Sequence, residues 1–141
     1  MSSEDAIELQ NVISRYTNAV NRREWSELPD LFCEDAIWEA PDIDVHLSGH
    51  KAVVEGVPQL VEPTKVLHQL NTPSDISING DTATARCSIR ETGTLGAIRF
   101  EALGYYDDVL VRSGTSWKFK HRRFGLIENY GTPISNVGVQ S

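Results

Sequence analysis

The sequence predicts an α+β fold in which three N-terminal helices pack on one face of a strongly curved, mostly antiparallel sheet. Three observations carry this expectation. The N-terminal stretch repeats apolar residues at helical spacing: Leu9, Val12, Ile13, Tyr16, Ala19 and Val20. From Val66 onward the pattern alternates instead, in long runs broken by turn residues at Asn79-Gly80 and Ser113-Gly-Thr115. Helical patterns followed by consecutive alternating runs imply helices laid across a meander.

Each element follows from its residues. Ser2 and Ser3 precede Glu4, Asp5 and Glu8; serine caps a helix start and acids in the first turn complement its dipole. Tyr16 lies in the middle of the buried stripe of this first helix, and Asn21 falls where the helix ends. A phenol there packs in the core or donates to a substrate oxygen; an Asn there caps the helix. A second short helix carries Trp25, Leu28, Leu31 and Phe32 on one side, with Pro29 in its first turn. Asp35-Ala-Ile-Trp-Glu-Ala and Val45-His-Leu read as short strands. Ser48 can cap a third helix with Val53, Val54 and Val57 inward, cut short by Gly56 and Pro58. His46 and His50 are four apart, but Ser48-Gly49 breaks the chain between them, so no metal is expected.

The central hairpin gives the sharpest expectation. Asn79-Gly80 between alternating runs signals a two-residue turn. If those two residues form the loop, Ile76 faces Ala83 and His68 faces Glu91, because facing pairs share a sheet face. That face carries Ile76, Ile78, Ala83, Ala85, Cys87 and Ile89, and delivers a base and an acid to one spot beside Tyr16. The opposite face, with Thr82, Thr84, Arg86, Ser88 and Arg90, is polar. Pro73 lies inside the first strand, where it donates nothing to a ladder; a bulge there shifts the register by one and turns His68 to the other face. Alone, His68 reads as a half-buried strand histidine; the acid opposite makes a catalytic role an equal reading. Two more long strands follow, Arg99–Val111 and Trp117–Phe124. Pairing Val111 with Trp117 sets Asp107 opposite His121 and Tyr105 opposite Arg123, a surface ion pair and an inward cation in need of an anion.

The chain has 141 residues, enough for one domain with a core. Its net charge of −7 with no Lys/Arg cluster speaks against a nucleic-acid partner. The two cysteines, Cys33 and Cys87, read as buried thiols in a reducing compartment. No apolar run is long enough to span a membrane, and Met1-Ser-Ser-Glu-Asp shows no leader pattern, so a cytoplasmic setting is expected. The domain is expected over residues 1–128, with a loosely specified tail over 129–141.

The motifs Arg15-Tyr16, Asn21-x-x-Glu24-Trp25, Leu31-Phe32-x-x-Asp35-Ala36, Gly49, His68, Asn79-Gly80-Asp81-x-Ala83, Tyr105-x-Asp107 and Trp117-x-x-x-His121-Arg122-x-Phe124 resemble the SnoaL-like branch of the NTF2-like superfamily, in the style of scytalone dehydratases and bile-acid 7α-dehydratases. The resemblance implies a cone-shaped α+β fold, a cofactor-free pocket, a homodimer, and small apolar substrates of polyketide, steroid or terpenoid type. Elimination, isomerisation or cyclisation is the chemistry implied. It makes His68 the general acid/base, Tyr16 the donor to the substrate oxygen and Glu91 an acidic pocket residue. Trp38, Tyr105, His121 and Arg123 become substrate contacts. Two departures matter: Asn21, a candidate catalytic residue that can orient the imidazole but not charge it, stands where the dehydratases carry an aspartate, and Ala40 stands where ketosteroid isomerases carry their base. A non-catalytic ligand-binding or dimerisation module of the same fold is the alternative. The polar face with Thr82, Thr84 and Arg86 is the expected contact between copies.

Overall fold

The computed structural model describes residues 2–134. The element order is α1 (Ser3–Arg22), a 3-10 turn (Trp25–Leu31), β1 (Phe32–Ala40), a 3-10 turn (Pro41–Ile43), β2 (Val45–Ser48), α2 (His50–Val61), β3 (Val66–Asn71), β4 (Asp75–Asn79), β5 (Thr82–Leu95), β6 (Ile98–Ser113) and β7 (Ser116–Pro133). Seven strands form one sheet in the order β2-β1-β7-β6-β5-β3, with β4 also on β5. Among the described residues, only the β1–β7 pair is parallel. The helices cover the concave face, as expected for an α+β cone. Among the described residues, no helix is long and apolar enough to cross a membrane.

Helix α1 is tied down at both ends. Ser2 Oγ accepts from the Asp5 amide at 3.1 Å. The Asp5 carboxylate takes two bonds from Arg112, at 2.9 and 3.1 Å, and one from Trp117 Nε1 at 3.2 Å. The Arg112 hydrogen bonds, with those of Trp117 and Ser2, pull its pKa down to about 2. At the other end Asn21 spends its whole amide on the edge strand β3. Its Nδ2 donates to the Gln69 carbonyl at 2.9 Å and its Oδ1 accepts from the Gln69 amide at 2.7 Å. Arg23 then closes the helix in the left-handed region at φ 55°. It donates to the Thr64 carbonyl at 2.7 Å. Asn21 therefore does more than end a helix: it stands in for the missing neighbour strand at Gln69.

Two strand irregularities displace the expected registers. The first hairpin closes around Gly80-Asp81, with Asn79 opposite Thr82 and Ile76 opposite Ala85. Gly80 holds φ +63° and Asn79 does not turn over, the pattern of a turn with glycine first. The chain then breaks at Thr72-Pro73-Ser74 into two strands, β3 and β4, because Pro73 has no N–H to donate. Beyond the break, Gln69 faces Glu91 and His68 faces Thr92. In the last hairpin, Gly114-Thr115 forms the loop and Lys120 bulges out, so that Leu110 pairs with Phe119 but Val109 with His121. Asp107 consequently faces Arg123, and Tyr105 faces Gly125.

Other boundaries moved as well. Gly49, not Ser48, caps α2, and the helix continues through Gly56 and Pro58 to Val61. A Cβ on Gly56 would lie 2.7 Å from the Leu47 side chain, so glycine there lets α2 settle against β2. β7 carries the sheet to Pro133, past the expected end at residue 128; the rest of the expected tail, 135–141, lies outside the described residues. The core gathers Leu9, Val12, Tyr16, Leu28, Phe32, Val53, Leu110, Trp117 and Phe119. Tyr16 meets Phe32, Tyr106 and Phe119 edge-on, each at 6.0 Å between centroids, contacts worth about 0.5–1.5 kcal/mol each beyond their area.

Two outcomes check these anchors. Asn21→Leu removes two hydrogen bonds and leaves two backbone groups of Gln69 unpaired, so urea unfolding should show a loss of about 2 kcal/mol; an unchanged midpoint would contradict the anchoring role. Asp5 has a folded pKa below its unfolded one. Its stabilisation is therefore complete above pH 4 and vanishes as pH falls towards about 2. Asp5→Asn should be less stable than the parent at pH 5, with the gap narrowing towards pH 2.

Candidate functional site

The concave face has a floor, a wall and a mouth. The floor is built on a buried cation. Arg122 on β7 is fully buried, and its guanidinium carbon lies 3.6 Å from the Tyr106 ring centroid, 4.2 Å from Tyr16 and 4.7 Å from Phe119. Its Nε is 3.3 Å from Asp108 Oδ1 on β6. Burial pushes the Asp108 carboxyl up to about 6, against the opposing pull of Arg122. Among the described residues, neither the three guanidinium nitrogens nor the two Asp108 oxygens have a hydrogen-bond partner, so the two side chains meet as charges only. Rings rather than oxygens surround most of this charge.

Above the floor is a cavity of about 140 Å³, lined by Tyr16, Val20, Trp38, Ile43, Leu60, Val61, Leu67, Gln69, Glu91, Tyr106 and Phe124. Its polar groups converge. Gln69 is 5% exposed, and its backbone is held from outside by Asn21. Gln69 and Glu91 therefore form a non-hydrogen-bonded pair across β3 and β5, the kind whose side chains approach most closely. Gln69 Nε2 donates to Glu91 Oε2 at 2.8 Å and to the Tyr106 hydroxyl at 3.3 Å. Its Oε1 is buried without a partner among the described residues. Trp38 Nε1 donates to the Tyr16 hydroxyl at 3.0 Å.

Both phenols thus accept from a neighbour, and their hydroxyls lie close enough to each other for the Tyr106 hydroxyl to favour ionisation of Tyr16. Burial raises the pKa of Tyr16, and that of Tyr106 well above the ordinary value, while Arg122 acts in the opposite sense. Burial also raises Glu91, and the bond from Gln69 partly offsets it. The cavity therefore offers one carboxyl poised towards neutrality and two protonated phenols over a fixed positive charge. That set can move a proton and stabilise a developing oxyanion.

The expected site residues divide. Tyr16, Glu91 and Trp38 meet in the cavity. His68 does not: β3 residues Leu67 and Gln69 point in, and His68 points out to solvent. The one-residue shift at Pro73 exchanged His68 for Gln69. His68 and Asn21 instead line an open groove of about 550 Å³ outside the cone, between α1 and β3. Arg123 is likewise exposed on the convex face, and the Lys120 bulge brings Arg122 inside in its place. His121 lies on that same face and pairs with Glu39 rather than Asp107; Asp107 pairs with Arg86 at 3.0 Å. Tyr105 packs against Gly125 on the convex side. His50 contacts the Pro29 carbonyl at 2.8 Å, and His46 sits opposite Glu39 on β2. No histidine lines the cavity. Gln69, Tyr106 and Arg122 were not foreseen; the Pro73 break was the available signal for Gln69.

The Gln69 bond gives a direct check. The Glu91 carboxyl should titrate above 4.5 when followed by carbon NMR, and Gln69→Leu should move it further up, because the bond that favours the carboxylate is gone. A downward move would mean that water reaches the carboxyl.

Comparison with known proteins follows this geometry. The family model described as "SnoaL-like domain" matches residues 1–123. A search of curated proteins found no match. Among solved structures, one from Novosphingobium aromaticivorans, provisionally named an aromatic ring hydroxylase, superposes with a TM-score of 0.84 at 21% identity, over 94% of this chain and 96% of that one. A second from that organism, provisionally named a scytalone dehydratase, gives 0.79 at 18%, over 91% and 87%. The hexachlorocyclohexane dehydrochlorinase LinA-type3 of Novosphingobium barchaimii gives 0.80 at 18%, over 92% and 90%. These likenesses are of fold. The family match covers most of the chain, and the protein belongs to the SnoaL-like family, on an NTF2-like fold.

Proposed function

We propose that this protein is a cofactor-independent lyase or isomerase acting on a small ring molecule by acid–base chemistry at Glu91. The observation that carries the reading is a water-sheltered carboxyl sharing a ring-sized cavity with two phenol donors. An apolar cavity near 150 Å³ accepts a benzene-sized ring. The names of its structural neighbours, a dehydrochlorinase and a dehydratase among them, accord with eliminations.

The steps follow from the geometry. Glu91, as carboxylate, takes a proton from the carbon next to a ring carbonyl. The electron pair moves onto the carbonyl oxygen, to which Tyr16 or Tyr106 donates. Trp38 and Gln69 polarise those phenols from behind. The enolate then collapses and expels a β-hydroxyl, which takes the proton from Glu91 and leaves as water. Arg122 opposes the cost of the negative charge from below the rings. His68 has no part in this scheme. A homodimer belongs to the same proposal; Thr82, Thr84 and Arg86 stay exposed on the convex face.

The second reading, a ligand-binding module, is favoured by the absence of any histidine–carboxylate pair from the cavity. 3-Hydroxycyclohexanone separates the two, since loss of water gives a conjugated enone visible in the ultraviolet. The parent should accelerate this loss, Glu91→Gln should lower the rate by about 10²–10⁴-fold, and His68→Ala should leave it unchanged. No acceleration of elimination, and no exchange of the α-hydrogens with deuterated solvent, would move the binding reading ahead. Loss of rate in His68→Ala alone would overturn the assignment to Glu91.

A further inference from the structure

The cavity is small for a ligand site. Sites for drug-sized molecules occupy roughly 300–1,000 Å³, whereas this one has about 140 Å³. Anything larger than one ring has to extend beyond it along the concave face.

Along β5 the concave face runs from Ile89, 4% exposed, past Glu91 and Gly93 to Leu95, 48% exposed. That direction leads out of the cone. Leu95 pairs with Ile98, which is 41% exposed, and Gly93 pairs with Phe100. A Cβ on Gly93 would collide with the Val66 carbonyl oxygen and stand 2.7 Å from the Phe100 ring, and one on Gly131 would stand 2.7 Å from the Ile98 side chain. The glycines leave room for large side chains to lie flat. Gly93 also faces Leu67, a cavity residue, and follows Glu91 by two places on the same face of β5, so the apolar strip adjoins the cavity, whose exposed lining residues are Ile43 and Leu60. The Arg90–Glu101–Tyr130 cluster lies on the opposite face.

We infer that the ligand is a ring bearing an apolar substituent, with the ring against Glu91 and the substituent lying on the shelf of Phe100, Ile98 and Leu95. This rests on the cavity being the ligand site. Exposed apolar clusters of this kind mark contact surfaces, and here adjacency to the cavity names the occupant. Leu95 and Ile98 flank a turn at the edge of the fold, so their replacement leaves the core and the proposed acid–base group untouched.

The test uses phenol and its 4-ethyl, 4-butyl and 4-hexyl derivatives, with affinity measured by calorimetry against the whole chain. Each methylene laid on the shelf should tighten binding about fourfold or slightly less. Leu95→Asp/Ile98→Asp, checked for an unchanged circular dichroism spectrum and melting point, should remove the chain-length gain and leave phenol binding as it was. Chain-length gains that survive in this variant would overturn the proposal. So would phenol binding with no chain-length gain in the parent, and that outcome leaves the cavity as the site. No binding by any member overturns both. A drop in oligomeric size on sedimentation of the variant, together with a flat series in the parent, would assign the shelf to a second copy and overturn the proposal.

Discussion

A guanidinium withdrawn from water is the constraint on which the concave face depends. Removing a charge from solvent costs several kcal/mol unless its surroundings answer it. Around Arg122 the answer comes from several elements: Asp108 and Tyr106 on β6, Phe119 on β7 and Tyr16 on α1. The cation therefore fixes where α1 sits over the sheet and which residues of β6 and β7 stand side by side. A slip of either strand by one place would leave the charge facing solvent and a hole beneath Tyr16. The same charge gives the cavity its electrical character, since both phenols sit with their rings on it and their hydroxyls above it. Structural and chemical roles are not separable at this residue.

The fold was legible because it rests on periodicity, and the site was only partly so because it rests on parity. Helical spacing located α1, and alternation located the long strands. The inward set of β5 came out correctly, Ala83, Ala85, Cys87 and Ile89 being buried and Glu91 lining the cavity. Errors entered where a strand loses or gains a residue. Side chains alternate with a period of two, so one misplaced residue reverses every assignment beyond it. Pro73 did this to His68, and the Lys120 bulge did it to His121 and Arg123. Pro73 announces itself through a missing donor. Lys120 has no such mark, and only the need to bury Trp117, Phe119, Arg122 and Phe124 on one face shows why the bulge exists.

The outer edge of β3 shows how a helix can substitute for a strand. Edge strands carry unpaired backbone groups. Here Asn21 serves both groups of Gln69, Arg23 serves the carbonyls of Thr64 and Lys65, and Gln10 serves Ser74 in both directions, at 2.9 and 3.3 Å. Polar residues that read as ordinary helix surface are thereby committed. Asn21 looked like a diminished catalytic aspartate; its amide is needed because a carboxylate has no N–H to give the Gln69 carbonyl.

The break at Thr72-Pro73-Ser74 has a consequence for how such a protein changes over generations. It separates β4, whose register is set by the Gly80 turn, from β3, whose register is set by α1. Loss of a single codon in this short connection, with β4 held in place, would draw β3 along by one position. The imidazole of His68 would then enter the place of the Gln69 amide, beside Glu91. Two lineages could thus share every residue of β3 and β5 in the same order and yet differ in whether a histidine stands in the cavity, through the loss of one residue from a connection that never touches it.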